Sequence, residues 1–219
     1  MNIQHHIPET MLLDYMSGQL NPEFSFIVSC HLEYCATCRS RVEPMLAIGG
    51  NALETIEPQK MEMSAQDILL SLQQTSDDIK IPKTLSTRTS VIPSKSELFD
   101  EDVLRSLKYQ FLCPGVRQHI FKLDDRKPSA TSPRILWNDP GIAVPSHGHH
   151  GTELTQVLVG GYYDGDRAFT KGNIQIVGHQ SRHQPTAMDD GPCMVLAAAE
   201  APLNFKNILP RLLQPLFKI

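Results

Sequence analysis

The chain has 219 residues, of which 41% are hydrophobic, and a formal net charge of -4; this is enough apolar material for one large or two small domains. The slightly acidic balance gives no reason to expect direct nucleic-acid binding, and no apolar run approaches the roughly 20 residues that a membrane-spanning helix needs. Five cysteines, an odd number, with no export signal at the N-terminus favour a reduced, cytoplasmic setting.

The first part of the chain predicts four helices. Apolar residues at positions 11, 12, 15 and 16 repeat with helical spacing. The sequence Asn21-Pro22-Glu23 is typical of a helix start, with a capping residue, proline at the first position and an acidic first turn. A third helix is expected from near Ala36 to near Ile48, ending before the Gly-Gly pair at 49–50. A fourth should begin at Ser64, with Asp67 in a weaker version of the capping box.

The second and third helices carry a metal-binding pattern. His31, Cys35 and Cys38 have the spacing H-x3-C-x2-C, and His6 lies upstream as a fourth ligand. Two thiolates and two imidazoles form the tetrahedral set of a structural Zn²⁺ site. His5 is the alternative to His6, because the two histidines are adjacent. A thioredoxin-like redox pair is disfavoured because no βαβ pattern surrounds the cysteines.

A change of composition divides the chain into three parts. Residues 1–76 form the predicted all-α zinc-binding domain. Residues 77–96 are rich in Ser, Thr, Lys and Pro and predict a flexible linker. Residues 97–219 predict an all-β domain of short strands, at 116–123, 134–137, 153–163, 173–177 and 193–199. Short strands at this spacing are typical of a sandwich or a barrel.

The β-rich part contains a second metal pattern. The spacing Gly141-x5-His147-x-His149-x3-Glu153-x6-Gly160 matches the first motif of cupin barrels at every defined position. His183 stands where the second motif has its last ligand, although that motif is otherwise incomplete. Three imidazoles and one carboxylate suit Zn²⁺, Mn²⁺, Fe²⁺ or Ni²⁺, and the sequence does not choose among them.

Together these motifs resemble a known bacterial family. The segments HHIPETMLLDYMSGQL and CHLEYCATCRSRVE, followed by a cupin-type half and the end PRLLQPLFKI, resemble the ChrR-type zinc-binding anti-sigma factors over essentially the whole chain. The resemblance implies an extracytoplasmic-function sigma factor as partner, gripped between the first helices and a fourth helix at residues 64–74. It also implies zinc at the cupin site and release of the partner on a stress signal, singlet oxygen or a related oxidant.

Two functions are consistent with these patterns. The first is a regulator, not an enzyme, whose helical half binds the sigma factor and whose cupin half is needed for the response. The alternative is a metal-dependent cupin enzyme, resembling a dioxygenase or an isomerase, with the zinc module as a docking element. The N-terminal motifs favour the regulator. The sequence supplies no evident general acid or base apart from the ligands.

Overall fold

A computed structural model describes residues 3–60, 62–75, 100–123, 129–179 and 181–205. It divides into two compact units, Met1–Met45 with Ile92–Ile219, and Leu46–Val91. The predicted linker at 77–96 and the C-terminal segment 210–219 lie outside the described residues, so the three-part division of the chain stays a prediction. The helices are α1 Glu9–Met16, α2 Pro22–Tyr34, α3 Ala36–Glu54, α4 Ala65–Thr75 and α5 Glu101–Ser106.

Helix starts follow the capping signals in the sequence. The Asn21 side chain accepts a hydrogen bond from the Phe24 backbone N–H at 2.8 Å, which satisfies one of the free donors at the start of α2. At α4, the Asp67 N–H donates to Ser64 Oγ at 3.1 Å and the Ser64 N–H donates to Asp67 Oδ2 at 3.3 Å. This is a reciprocal capping box with Asp in the place of Glu.

Two helical features differ from the sequence prediction. Helix α3 does not end before Gly49 but continues to Glu54. Neither glycine at 49–50 has a positive φ, and a helical glycine costs only about 1 kcal/mol relative to alanine, so the helix-favouring residues on both sides continue the helix. Helix α5 was not predicted; Asp100 caps it, and Leu104 anchors it in the core.

The rest of the described chain is built from twelve short strands. These are β1 Gln110–Cys113, β2 Val116–Ile120, β3 Arg134–Asn138, β4 His147–Gly148, β5 Glu153–Val159, β6 Gly161–Asp164, β7 Arg167–Thr170, β8 Ile174–Val177, β9 Arg182–His183, β10 Thr186–Ala187, β11 Cys193–Ala199 and β12 Asn204–Phe205. They form a six-stranded sheet in the order β1-β2-β3-β11-β5-β8 and two three-stranded sheets, β10-β6-β7 and β12-β4-β9. The predicted fold class, helices followed by a cupin-like β domain, is confirmed.

Strands β5 and β11 lie at the centre of the larger sheet and are buried along their whole length. On β5, Leu154 and Leu158 belong to a cluster that includes Phe24 and Ile27 of α2, whereas Val157 belongs to a second cluster with Phe169 and Tyr162. Because side chains alternate along a strand, one face of the sheet packs on the helices and the other faces the β-rich interior. The first helices and the sheet therefore share one hydrophobic core.

In the unit Leu46–Val91, large apolar side chains are exposed to solvent rather than buried in a core. Its described part contains the second half of α3 and helix α4, and its large apolar side chains are mostly exposed. Those more than half exposed are Leu46, Ile48, Leu53, Ile56, Leu69 and Leu70. Among the described residues of the whole chain, no helix is both long enough and apolar enough to span a membrane.

Candidate metal centres

The first candidate centre lies where three helical segments meet. His6 precedes α1, His31 lies in the last turn of α2, Cys35 caps that helix, and Cys38 lies in the first turn of α3. One ligand atom from each residue lies within 4.8 Å of all the others. His6 Nδ1 is 3.2 Å from Cys35 Sγ and 3.8 Å from Cys38 Sγ. The structure thus brings together the four residues that the H-x3-C-x2-C spacing and the upstream histidine predicted.

The donor atoms of this cluster suit a metal ion. His31 is fully buried, and its Nδ1 lies 2.8 Å from Gln156 Oε1 on β5. A carboxamide oxygen can only accept, so Nδ1 carries the proton and Nε2 keeps its lone pair. His31 Nε2 has no hydrogen-bond partner in the described structure. A buried lone pair without a partner, next to two thiols and a second imidazole, is an arrangement that a bound cation satisfies.

The adjacent histidine has a different environment. His5 Nδ1 and the backbone N–H groups of Gln4 and His5 all lie within 3.0 Å of Asn173 Oδ1. The His5 ring packs on Phe169 with a centroid distance of 4.3 Å. His5 therefore holds the N-terminal segment against the β-rich part, and His6 supplies the ring nitrogen near the thiols. This placement supports His6 as the fourth ligand.

Burial favours the uncharged forms of two residues of this cluster, His31 and Cys38. It lowers the pKa of His31 to about 4 and raises the pKa of Cys38 to about 11. At neutral pH the imidazole is therefore neutral, as a ligand must be, but the Cys38 thiol still holds its proton. A metal ion that binds here must displace that proton.

The second candidate centre lies inside the β-rich part. His147 is on β4, His149 follows it, Glu153 begins β5 and His183 ends β9, which pairs with β4 in the register His147↔His183. His183 Nε2 is 3.0 Å from both His147 Nε2 and His149 Nε2. Glu153 Oε2 is 3.5 Å from His149 Nε2 and 3.8 Å from His183 Nε2. These are the four residues that the cupin spacing predicted.

Two of these imidazoles have a fixed tautomer. His147 Nδ1 donates to the Pro145 carbonyl at 2.8 Å, and His183 Nδ1 donates to Asp164 Oδ2 at 3.1 Å. With the protons on Nδ1, both Nε2 atoms present lone pairs to each other at 3.0 Å. Two such lone pairs repel unless they share a cation. Hydrogen bonds from the non-ligating nitrogens are also the usual support of metal-binding histidines.

Electrostatics at this centre depend on burial. Burial lowers the pKa of His147 to about 3 and that of His149 to about 4. It also raises the pKa of Glu153 to about 8, although the nearby guanidinium of Arg134 opposes this shift. At pH 7 the neutral forms of His147 and His149 and the protonated form of Glu153 are therefore favoured. A bound divalent ion would reverse this preference at Glu153.

A small cavity adjoins the second cluster. Its volume is about 60 Å³, and its lining includes His147, Glu153, His183, Leu136, Val144 and Val195. Polar side chains outside the cluster, among them Thr155, Tyr162 and Gln175, also line it. A cavity of this volume has room for a molecule of a few atoms beside the ligand groups.

Sequence comparison identifies the family. No protein-family model matches the chain. The anti-sigma-E factor ChrR of Cereibacter sphaeroides is 34% identical over 219 residues, which is 100% of this chain and 100% of ChrR. The chain belongs to the ChrR family of anti-sigma factors.

Structural comparison agrees with this ChrR-family membership. The crystal structure of Rhodobacter sphaeroides SigE in complex with the anti-sigma ChrR matches with 31% identity and a TM-score of 0.71, over 91% of this chain and 100% of that chain. An RmlC-like cupin protein from Ralstonia eutropha matches 48% of this chain and 77% of its own at 16% identity, with a TM-score of 0.38. That score is too low to carry an argument.

Two residues that support the histidines in this ChrR-family protein were not found from the sequence. Gln156 lies in the apolar run of β5, and Asp164 lies in a turn-like Tyr-Asp-Gly-Asp segment. Asp164 also accepts a hydrogen bond from Gln175 Nε2 at 2.5 Å, which orients its carboxylate. A polar residue inside a continuous apolar run was the available signal for Gln156.

The remaining histidines and cysteines lie outside both clusters. His119 Nδ1 donates to the Lys108 carbonyl, and His179 Nδ1 donates to the carbonyl of His150. Cys30 and Cys193 are fully buried, and Cys113 is half-buried. Free buried cysteines of this kind commonly pack as small hydrophobic side chains.

Proposed function

We propose that this protein is an anti-sigma factor that binds and inhibits an extracytoplasmic-function sigma factor in the cytoplasm and releases it on a stress signal. The observation that carries the proposal is the 34% identity to the anti-sigma-E factor ChrR over the full length of both chains. The structure of a SigE–ChrR complex, which this chain matches over 91% of its length, supports the class of partner.

The exposed apolar residues of α3 and α4 supply a binding surface for this partner. Leu69 and Leu70 on α4 are 60% and 54% exposed, and Ile48 and Leu53 on α3 are 71% and 70% exposed. Exposed groups of large apolar side chains mark interaction sites in soluble proteins. An amphipathic helix such as α4 is a common recognition element. We therefore assign these side chains to the sigma-factor interface.

The test is co-expression of the full chain with each extracytoplasmic-function sigma factor of the same organism. One of them should co-purify in equimolar amount. The double substitution Leu69→Glu, Leu70→Glu should weaken this complex at least about 100-fold, since glutamate keeps the helix propensity but removes the apolar contact. The control is Phe111→Asp, at a residue that is 63% exposed in the other unit. Equal loss with the control, or no bound sigma factor at all, would refute the proposal.

We further propose Zn²⁺ at both centres. The Cys₂His₂ set of the first centre is typical of structural zinc. The three imidazoles and the carboxylate of the second also suit Mn²⁺, Fe²⁺ and Ni²⁺, so its metal rests on the family resemblance. A metal at the first centre would be held by His6, His31, Cys35 and Cys38 and would link three helical segments, and one at the second would supply a Lewis acid beside the cavity. Elemental analysis of the purified complex should give two equivalents of zinc per chain.

We propose that the cupin part is needed for the response to an oxidant such as singlet oxygen, rather than for inhibition. The second centre has nitrogen and oxygen ligands and an adjoining cavity of about 60 Å³. A site of this kind can keep an open coordination position, whereas a closed Cys₂His₂ site cannot. Membership in an anti-sigma family favours this regulatory role over the alternative of a cupin enzyme.

A further inference from the structure

Gln156 is a polar residue at the interface between helix α2 and the larger sheet. It has no exposed surface, and it lies on β5 between Leu154 and Leu158, which share its face of the strand. Its Oε1 is 2.8 Å from Nδ1 of His31, a candidate ligand of the first centre. The two residues are 125 positions apart in the sequence. A buried carboxamide in an otherwise apolar interface is costly unless its hydrogen bonds are specific.

The orientation of the Gln156 amide follows from its second contact. Its Nε2 donates to the Val157 carbonyl at 3.4 Å, which leaves Oε1 for the histidine. Oε1 accepts only, so it selects the tautomer of His31 with the proton on Nδ1. That tautomer leaves the lone pair on Nε2, the buried atom without a partner, and a ring nitrogen of His31 lies within 4.8 Å of a ligand atom of each of the other three residues. Gln156 thus sets both the orientation and the tautomer that a ligand at this position needs.

A second residue of the β-rich part, Asn173, contacts the segment that precedes His6. Asn173 Oδ1 accepts from the backbone N–H groups of Gln4 and His5 at 2.9 Å each, directly before His6. Its own Nδ2 donates to the Thr170 carbonyl at 3.0 Å, so the amide is fixed. Gln156 pairs with Ile174, the residue after Asn173. Gln156 on β5 therefore contacts His31 directly, and Asn173, just before β8, holds the backbone that leads into His6.

We propose that Gln156 is a positioning residue of the first metal centre, so that the cupin part completes a site whose ligands all come from the helical part. The inference rests on the proposed occupation of that centre by a metal. Loss of a hydrogen-bond partner of a ligating histidine lowers metal affinity about 10- to 100-fold. The same loss is expected for Gln156→Leu, which keeps the volume but removes the acceptor.

The test uses the full chain loaded with Co²⁺, because thiolate-to-cobalt charge-transfer absorption arises only at the centre that contains cysteines. Chelator competition followed in this band gives the affinity of that centre alone. Gln156→Leu should lower it about 10- to 100-fold, and Gln156→Glu, which keeps an acceptor, should restore it to within about threefold of the unsubstituted protein. The absorption of cobalt at the other centre should be unchanged.

The matched control is Leu154→Ala, a truncation on the same face of β5 that loosens the same interface without removing the partner of His31. Its thermal unfolding should shift at least as much as that of Gln156→Leu, with little change in cobalt affinity. Equal losses of affinity in the two variants would show that Gln156 acts only through packing and would overturn the proposal. If the unsubstituted chain gives no charge-transfer band, the proposed metal centre itself is wrong.

Discussion

The two candidate metal centres both contain histidines that are oriented by hydrogen bonds, but the parts of the fold around them differ. In the first, His31 turns a protonated Nδ1 to Gln156, and in the second, His147 and His183 do the same to the Pro145 carbonyl and Asp164. The first joins the ends of helices through two thiols, whereas the second lies on strands beside a cavity. The difference indicates that a metal at the first would hold the fold together and that one at the second would remain accessible to small molecules.

The largest expected effect comes from removing the thiols. Cys35→Ser with Cys38→Ser should lose one of two metal equivalents and abolish sigma-factor binding, because loss of a structural zinc costs several kcal/mol of folding free energy. Elemental analysis and co-purification measure the two effects. Cys113→Ser, at a half-buried cysteine outside both centres, is the control. Normal sigma-factor binding by the metal-free double variant would show that the first centre is dispensable.

An intermediate effect is expected at the second centre. Glu153→Ala and His183→Ala should each lose one metal equivalent, keep basal inhibition and reduce the induction of a sigma-dependent reporter by oxidant several-fold. The physical reason is that the open position for a small molecule disappears with its ligands. His150→Ala, at an exposed histidine next to the cluster, is the control. High output without oxidant would mean instead that the cupin part helps to hold the partner.

The smallest effect is expected from a substitution of Asp164, which accepts the hydrogen bond of His183. Asp164 is buried; burial itself raises its pKa, but hydrogen bonds from Gln175 and His183 outweigh this, so the carboxylate stays charged. Asp164→Asn keeps the shape but removes the charge and should lower metal affinity at the second centre about 10-fold. The thiolate-to-cobalt band should not change. Asp166→Asn, an exposed neighbour, is the matched control, and an equal effect there would argue against a specific role for Asp164.

The sequence predicted those features that depend on local spacing. Both clusters were predicted because, within each cluster, three of the four ligands lie within a segment of eight or fewer residues. The exceptions are His6 in the first cluster and His183 in the second. Capping by Asn21 and Ser64 was visible for the same reason. The predicted end of α3 was wrong because the Gly-Gly pair was taken as a helix terminator. The free-energy cost of two helical glycines is small compared with the helix preference of the residues around them.

Features that depend on tertiary contact were not predictable from local patterns. Gln156 meets His31 across 125 residues, and no periodicity carries that information. His5 and His6 are adjacent, so only the fold shows that one lies against Asn173 and the other near the thiols. The six-residue helix α5 is too short for a periodic signal, although Asp100 and the acidic residues after it marked its start.

Strand β5 carries Glu153 toward one centre and Gln156 toward the other, and it is buried on both faces. A close-packed strand cannot shift on one face alone. If a small molecule that binds in the cavity moves β5, it also moves Gln156 and so changes the hydrogen bond to His31. Binding at the cavity would then change the stability of the first centre. Thermodynamic linkage then requires the reverse as well: any partner that tightens the helical part changes the affinity of the cavity for its ligand by the same factor.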